Sequence, residues 1–112
     1  MSSWVKYHFE HLRRWREYAL SIAKATRDLI PESKIYVIGG VAEERTTIYS
    51  DIDILIIIPD KIEKKNQYVK ILTKAIDEYN LPIDAPVELH ILHEKEAENY
   101  LKHQRKTIEI KP

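Results

Sequence analysis

Asp51 and Asp53 flank Ile52 at the head of a β-branched run, Ile52 to Ile58, that Pro59 closes. Two residues apart on a strand, side chains project from one face with Cα atoms roughly 6.5 to 7 Å apart, so both carboxylates can reach one pair of cations. The rest of that face, Leu55 and Ile57, is apolar, as are Ile52, Ile54, Ile56 and Ile58 opposite. The acids therefore sit where a buried strand surfaces. Two neighbouring anions there repel each other unless a cation is present, and acids are depleted in strands, which weighs against a merely solvated strand end. A site for two Mg²⁺ ions calls for a third carboxylate beside the substrate phosphates. Glu88 meets that need, because the alternation Val87-Glu88-Leu89-His90 puts it on the polar face of a strand together with His90. A surface glutamate on an edge strand is the competing reading.

The chain has only two glycines, Gly39 and Gly40, and they follow the apolar stretch Ile35 to Ile38 directly. Residues without Cβ serve where the backbone must turn sharply or approach a ligand, and successive N–H groups there can cradle phosphate oxygens. If Val41 opens a helical turn, its free N–H groups add a favourable end for anions. Taken alone, the pair is satisfied by a plain strand-to-helix turn.

Other chemistries fit less well. With no cysteine there is no disulfide, thiolate metal site or thiol nucleophile. His90 and His93 fall on opposite faces of their strand, which spoils a shared zinc site, so no zinc is expected and His90 is read as lining the site. His8 reads as an interface or core histidine. No P-loop pattern is present, and an Asp-x-Asp sugar transferase needs a far larger fold.

These residues need elements to position them. Val5, His8, Leu12, Trp15, Ala19, Ile22, Thr26 and Leu29 recur in alternating steps of three and four, predicting one long amphipathic helix over 1–30 that ends before Pro31. At about 1.5 Å per residue it would run on the order of 40 Å, so its first turns should overhang the core. Ile35–Ile38 and Ile52–Ile58 read as strands. Asp60 and Glu63 give the D-x-x-E signature of a helix start, with Ile62, Val69, Leu72, Ile76 and Tyr79 at helical spacing until Asn80 and Pro82. A third strand follows over Val87–Leu92, then a surface helix over 94–106, and Thr107–Pro112 is either a short strand or disordered. The expected fold is α/β in the α+β sense, a small mixed sheet flanked by helices, in one domain over 1–112 with its motif-bearing core at 34–92.

Eighteen basic and eighteen acidic residues cancel, which argues against nucleic-acid binding through a global positive field. No signal-peptide pattern or long apolar run occurs, so a cytoplasmic chain without a membrane segment is expected. Half of the ten aromatics, Trp4, Tyr7, Phe9, Trp15 and Tyr18, lie in the first helix beside Lys6, Arg13, Arg14 and Arg16. Aromatic and arginine enrichment marks protein interfaces, with a nucleic-acid surface second.

The stretch Ile38-Gly39-Gly40, ten residues, then Asp51-Ile52-Asp53-Ile54 resembles the signature of the DNA polymerase β nucleotidyltransferase superfamily, and Val87-Glu88-Leu89 resembles its third-carboxylate strand. The likeness spans about residues 34 to 92 and is closest to the minimal prokaryotic nucleotidyltransferases. It implies that Gly39 and Gly40 hold the triphosphate of a nucleotide, that Asp51, Asp53 and Glu88 bind two Mg²⁺ or Mn²⁺ ions, and that Glu88 helps deprotonate an acceptor hydroxyl. Ser50 would contact phosphate. The family often has Arg directly after the glycines and Gly a few residues on; this chain has Val41 and Glu44, and Arg45 would replace the missing charge. The resemblance further implies transfer of AMP from ATP to a partner protein, a HEPN-type toxin, with self-association through the first helix as another use of that surface. A noncatalytic antitoxin or binding subunit is the alternative.

Overall fold

The computed structural model describes residues 2–112. Five helices and four strands alternate in the order α1 (Ser3–Arg13), α2 (Trp15–Leu29), β1 (Lys34–Ile38), α3 (Gly39–Ala42), β2 (Ile52–Ile58), α4 (Gln67–Tyr79), β3 (Val87–His93), α5 (Glu94–Lys102) and β4 (Ile108–Ile110). The strands form one mixed sheet in the order β3-β2-β1-β4. β1 runs antiparallel to both β2 and β4, while β2 and β3 are parallel and are joined by the crossover through α4. The expected mixed sheet flanked by helices is what the chain adopts. No described helix is long and apolar enough to cross a membrane.

β2 is apolar on both faces because both are covered. Ile52, Ile54, Ile56 and Ile58 are fully buried in the main core with Ile35, Val37, Tyr18, Ile22, Ile71 and Ala75 from β1, α2 and α4. Each such isoleucine contributes roughly 1.5–3 kcal/mol by leaving water, which makes β2 the anchor of the sheet. Leu55 and Ile57 point the other way, into a smaller cluster with Ile38 and Ala97, flanked by Tyr36, Leu92, Tyr100 and Leu101. α5 thus covers that second face through Ala97, Tyr100 and Leu101. Asp53, on the same face as Leu55 and Ile57, lies at its open end.

Three expectations are corrected. The N-terminal segment is two helices rather than one: Arg14 leaves helical geometry (φ −91°, ψ 19°), its N–H bonds back to the His11 carbonyl, and α2 restarts from the Arg14 carbonyl. The bend lets α2 stay on the sheet while α1 reaches two loops, through the Tyr7 hydroxyl on Asp84 (2.6 Å) and through His8 on the Ser50 carbonyl (2.9 Å). Only the first turn overhangs, with Trp4 61% exposed. The second correction is the start of α4, at Gln67 and not at Asp60. Asp60 caps a different helix, accepting the Lys95 N–H in the first turn of α5 (3.1 Å), and left-handed Asn66 (φ 68°) precedes α4. The third is shorter: α5 ends at Lys102. The tail resolves as the strand β4, where Ile110 and Ile108 pair with Ile35 and Val37.

Candidate metal and nucleotide site

Three strand ends meet at one edge of the sheet. Because β1 is antiparallel to β2, the last residue of β1, Ile38, stands opposite Asp53, and because β3 is parallel to β2, Glu88 stands opposite Asp53 on the other side. The chain leaves β1 through Gly39 at exactly this level of the sheet. The two acids read from separate parts of the sequence are therefore neighbours by register.

His90, two residues along β3 from Glu88, shares their face, and its Nε2 lies 3.2 Å from Asp53 Oδ1. One donor atom each from Asp53, Glu88 and His90 falls within 4.8 Å of the others, a spacing suited to a common divalent ion. Glu88 is exposed and Asp53 and His90 are partly buried, so a bound ion would keep open positions toward solvent. Asp51 is not brought into this trio: it stands exposed one residue before β2 begins. Two carboxylates and an imidazole, held by rigid strands and open on one side, have the donor chemistry that a divalent metal requires.

The glycine pair is shaped by these acids. Gly39 has φ 70°, in the left-handed region that L side chains avoid, and a Cβ there would stand 2.6 Å from Asp53 Oδ2. No larger residue fits without moving the carboxylate. At Gly40 a Cβ would lie 3.2 Å from the Arg45 carbonyl oxygen and 3.7 Å from Ser50 Oγ, a tight but less severe approach. α3 starts at Gly39, and the polar loop after it folds back through the Arg45 N–H on the Gly40 carbonyl (2.7 Å).

Ser50 closes that loop. Its hydroxyl accepts the Thr47 N–H (2.8 Å) and its carbonyl accepts His8 Nε2–H from α1. The segment immediately ahead of the acids is thereby pinned from two sides. Arg45 is exposed and paired with Glu43 (2.9 Å), which engages the charge expected to face phosphate. Glu44 adopts φ 60°, so it occupies the backbone conformation that a glycine would adopt freely.

Sequence reasoning placed Asp51, Asp53, Glu88 and the glycines at one site and left His90 as a lining residue, whereas the grouped donors are Asp53, Glu88 and His90. The available signal was the Glu88-x-His90 alternation, which puts both on one face; what it could not supply was the register that sets His90 diagonally against Asp53. The model of the nucleotidyltransferase domain family matches residues 20–112. This chain belongs to that family. The nucleotidyltransferase domain is similar to a crystal structure of a candidate nucleotidyltransferase with 30% identity, 80% of this chain and 94% of that chain covered, and a TM-score of 0.59. It also shares its fold with a candidate nucleotidyltransferase from Sulfolobus solfataricus at 18% identity, covering 91% and 84% of the two chains with a TM-score of 0.63. No curated protein matches it significantly.

Proposed function

We propose that this nucleotidyltransferase domain moves a nucleoside monophosphate, AMP from ATP, onto a hydroxyl acceptor carried by a partner protein. The observation that carries the reading is the register pairing of Asp53 with Glu88, beside a glycine whose absent side chain makes room for the Asp53 carboxylate, in a chain of this family. Asp53 and Glu88 would hold one ion, and Asp51 and Asp53 a second; Mg²⁺ or Mn²⁺ there would neutralise charge on the attacking and leaving oxygens. Gly39 and Gly40 keep the backbone low enough for phosphate oxygens to approach, with Ser50 at the border of the same loop. Arg45 would exchange Glu43 for a phosphate.

In the transfer the acceptor hydroxyl gives its proton to a Glu88 carboxylate oxygen and its oxygen bonds to the α-phosphorus. The bond from that phosphorus to the bridging oxygen breaks, and pyrophosphate leaves with the electron pair. The surface that would dock the partner carrying the acceptor is α1, whose Trp4 and Tyr7 are 61% and 54% exposed. That surface suits a HEPN-type partner or a second copy of the chain, and the pinned segment before Asp51 lies directly beneath α1.

Incubating the domain with α-phosphate-labelled ATP, a divalent ion and a co-expressed partner tests this. The expected result is label transferred to protein by the wild type and not by Asp53→Asn. Equal labelling by both, or release of labelled phosphate without transfer, would refute it.

A further inference from the structure

His90 is the histidine nearest the acids, and the family reading above assigns it nothing. Its Nε2 faces Asp53 Oδ1 at 3.2 Å on one side, and Glu88 lies within the same 4.8 Å group. Cis ligands of an octahedral ion bound at about 2.1 Å are roughly 3.0 Å apart, and ligands of a tetrahedral ion roughly 3.4 Å apart. The observed separation falls between these two values. When the ring proton is on Nδ1, Nε2 and Oδ1 are two electron-pair donors aimed at one another, an arrangement that an interposed cation stabilises.

The scaffold makes this placement stiff. His90 lies opposite Leu55 in the parallel ladder of β2 and β3, and Leu89 and Leu55 beside it are buried, so the imidazole is held at a fixed height above Asp53. The other strand histidine, His93, is committed elsewhere, its Nε2 donating to the Ile62 carbonyl (2.7 Å). His103 is exposed and bonded to its own helix.

We infer that His90 is a nitrogen ligand to the ion held by Asp53 and Glu88, and that this mixed nitrogen and oxygen set selects a transition-metal ion over Mg²⁺. The inference rests on the proposed function only in placing an ion at these two acids. Mg²⁺ takes oxygen ligands in near-ideal octahedral geometry, whereas imidazole raises the affinity of first-row transition ions. The ligand set itself would then decide which metal the domain uses.

Titration calorimetry with Mn²⁺ alone and with Mg²⁺ alone, on the wild type, His90→Gln and the control His103→Gln, tests the inference. Pulsed electron paramagnetic resonance of the Mn²⁺-loaded proteins accompanies it. The expected result is an imidazole nitrogen coupling in the wild type and in His103→Gln that vanishes in His90→Gln. Mn²⁺ affinity should fall at least about tenfold in His90→Gln while Mg²⁺ affinity changes by less than about threefold. Absence of nitrogen coupling in the wild type overturns the inference, as does equal loss of both ions in His90→Gln, which would mark His90 as a hydrogen-bond donor to Asp53. The wild-type spectrum decides the matter if His90→Gln does not fold. Mn²⁺ bound with nitrogen coupling but no ATP bound would sink the nucleotidyl-transfer reading and leave this one standing; Mg²⁺-dependent ATP binding without nitrogen coupling would do the reverse.

Discussion

The left-handed backbone of Gly39 and the 2.6 Å approach of a notional Cβ to Asp53 Oδ2 make it the least replaceable residue of the site. Gly39→Ala combines a left-handed penalty of about 1–2 kcal/mol with displacement of the Asp53 carboxylate, the group proposed to hold the ion. It should lower the melting temperature and weaken metal-dependent ATP binding much more than Gly40→Ala. Equal effects of the two substitutions, measured by thermal melting and calorimetry, would contradict the geometry. Glu44 gives the converse case. Its φ of 60° costs a non-glycine residue on the order of 1 kcal/mol, so Glu44→Gly should raise the melting temperature. A lower melting temperature would show that the Glu44 side chain supplies more than its backbone costs. In the sequence this position departs from the glycine that the family often has; the backbone nonetheless takes the left-handed conformation, which no residue name displays. His90 was legible as lining the site and no further for a related reason, since a strand pattern assigns a residue to a face and leaves its neighbour across the ladder open.

Among the elements, α1 departs furthest from its periodicity. The three-four spacing over residues 1–30 is genuine amphipathicity, but it carries no information about the tertiary contacts that bend the helix at Arg14. Those contacts converge on Asp84, which accepts the Tyr7 hydroxyl and lies 3.5 Å from His11 Nε2, while His11 Nδ1 meets the Tyr18 hydroxyl at 2.6 Å. The Tyr7 hydrogen bond holds the Asp84 carboxyl below its ordinary value of 3.8. A carboxyl depressed in the folded state contributes stability that is fully present above the unfolded value and is lost as pH falls through the lower folded one. The contact tying α1 to the segment before β3 should therefore persist at neutral pH and fail only below about pH 4. In a carboxyl NMR titration, Asp84 should titrate below the usual range in the wild type and move upward in Tyr7→Phe; identical midpoints in both would refute the contact. α4 shows the same limit of pattern reading: Asp60 is a helix cap, as its type suggested, but for α5, a helix that begins more than thirty residues later.

At the scale of the whole molecule, strands were the legible part. β1 and β2 are where their apolar runs put them because strands covered on both faces need such runs, β3 is where its alternation put it, and the mixed sheet follows from the crossover through α4. β4 was legible only as one of two options, since three residues of alternating sequence become a strand when a partner edge is free, and β1 provides that edge. Equal numbers of basic and acidic residues leave no global field to draw in a polyanion, so nucleotide affinity must come from the site itself. Helix boundaries and the break in α1 were fixed by contacts between distant residues, and these became visible only in three dimensions.

The register of β1, β2 and β3 brings Gly39, Asp53 and Glu88 to one sheet end, and the account stands on their serving as a metal-dependent nucleotide site. The direct test is calorimetric titration of ATP, with Mg²⁺ and then Mn²⁺, into the wild type and into Asp53→Asn and Glu88→Gln. Saturable binding that requires the metal and is lost in both variants is the predicted result. Binding that is independent of metal, or unchanged in either variant, would contradict it.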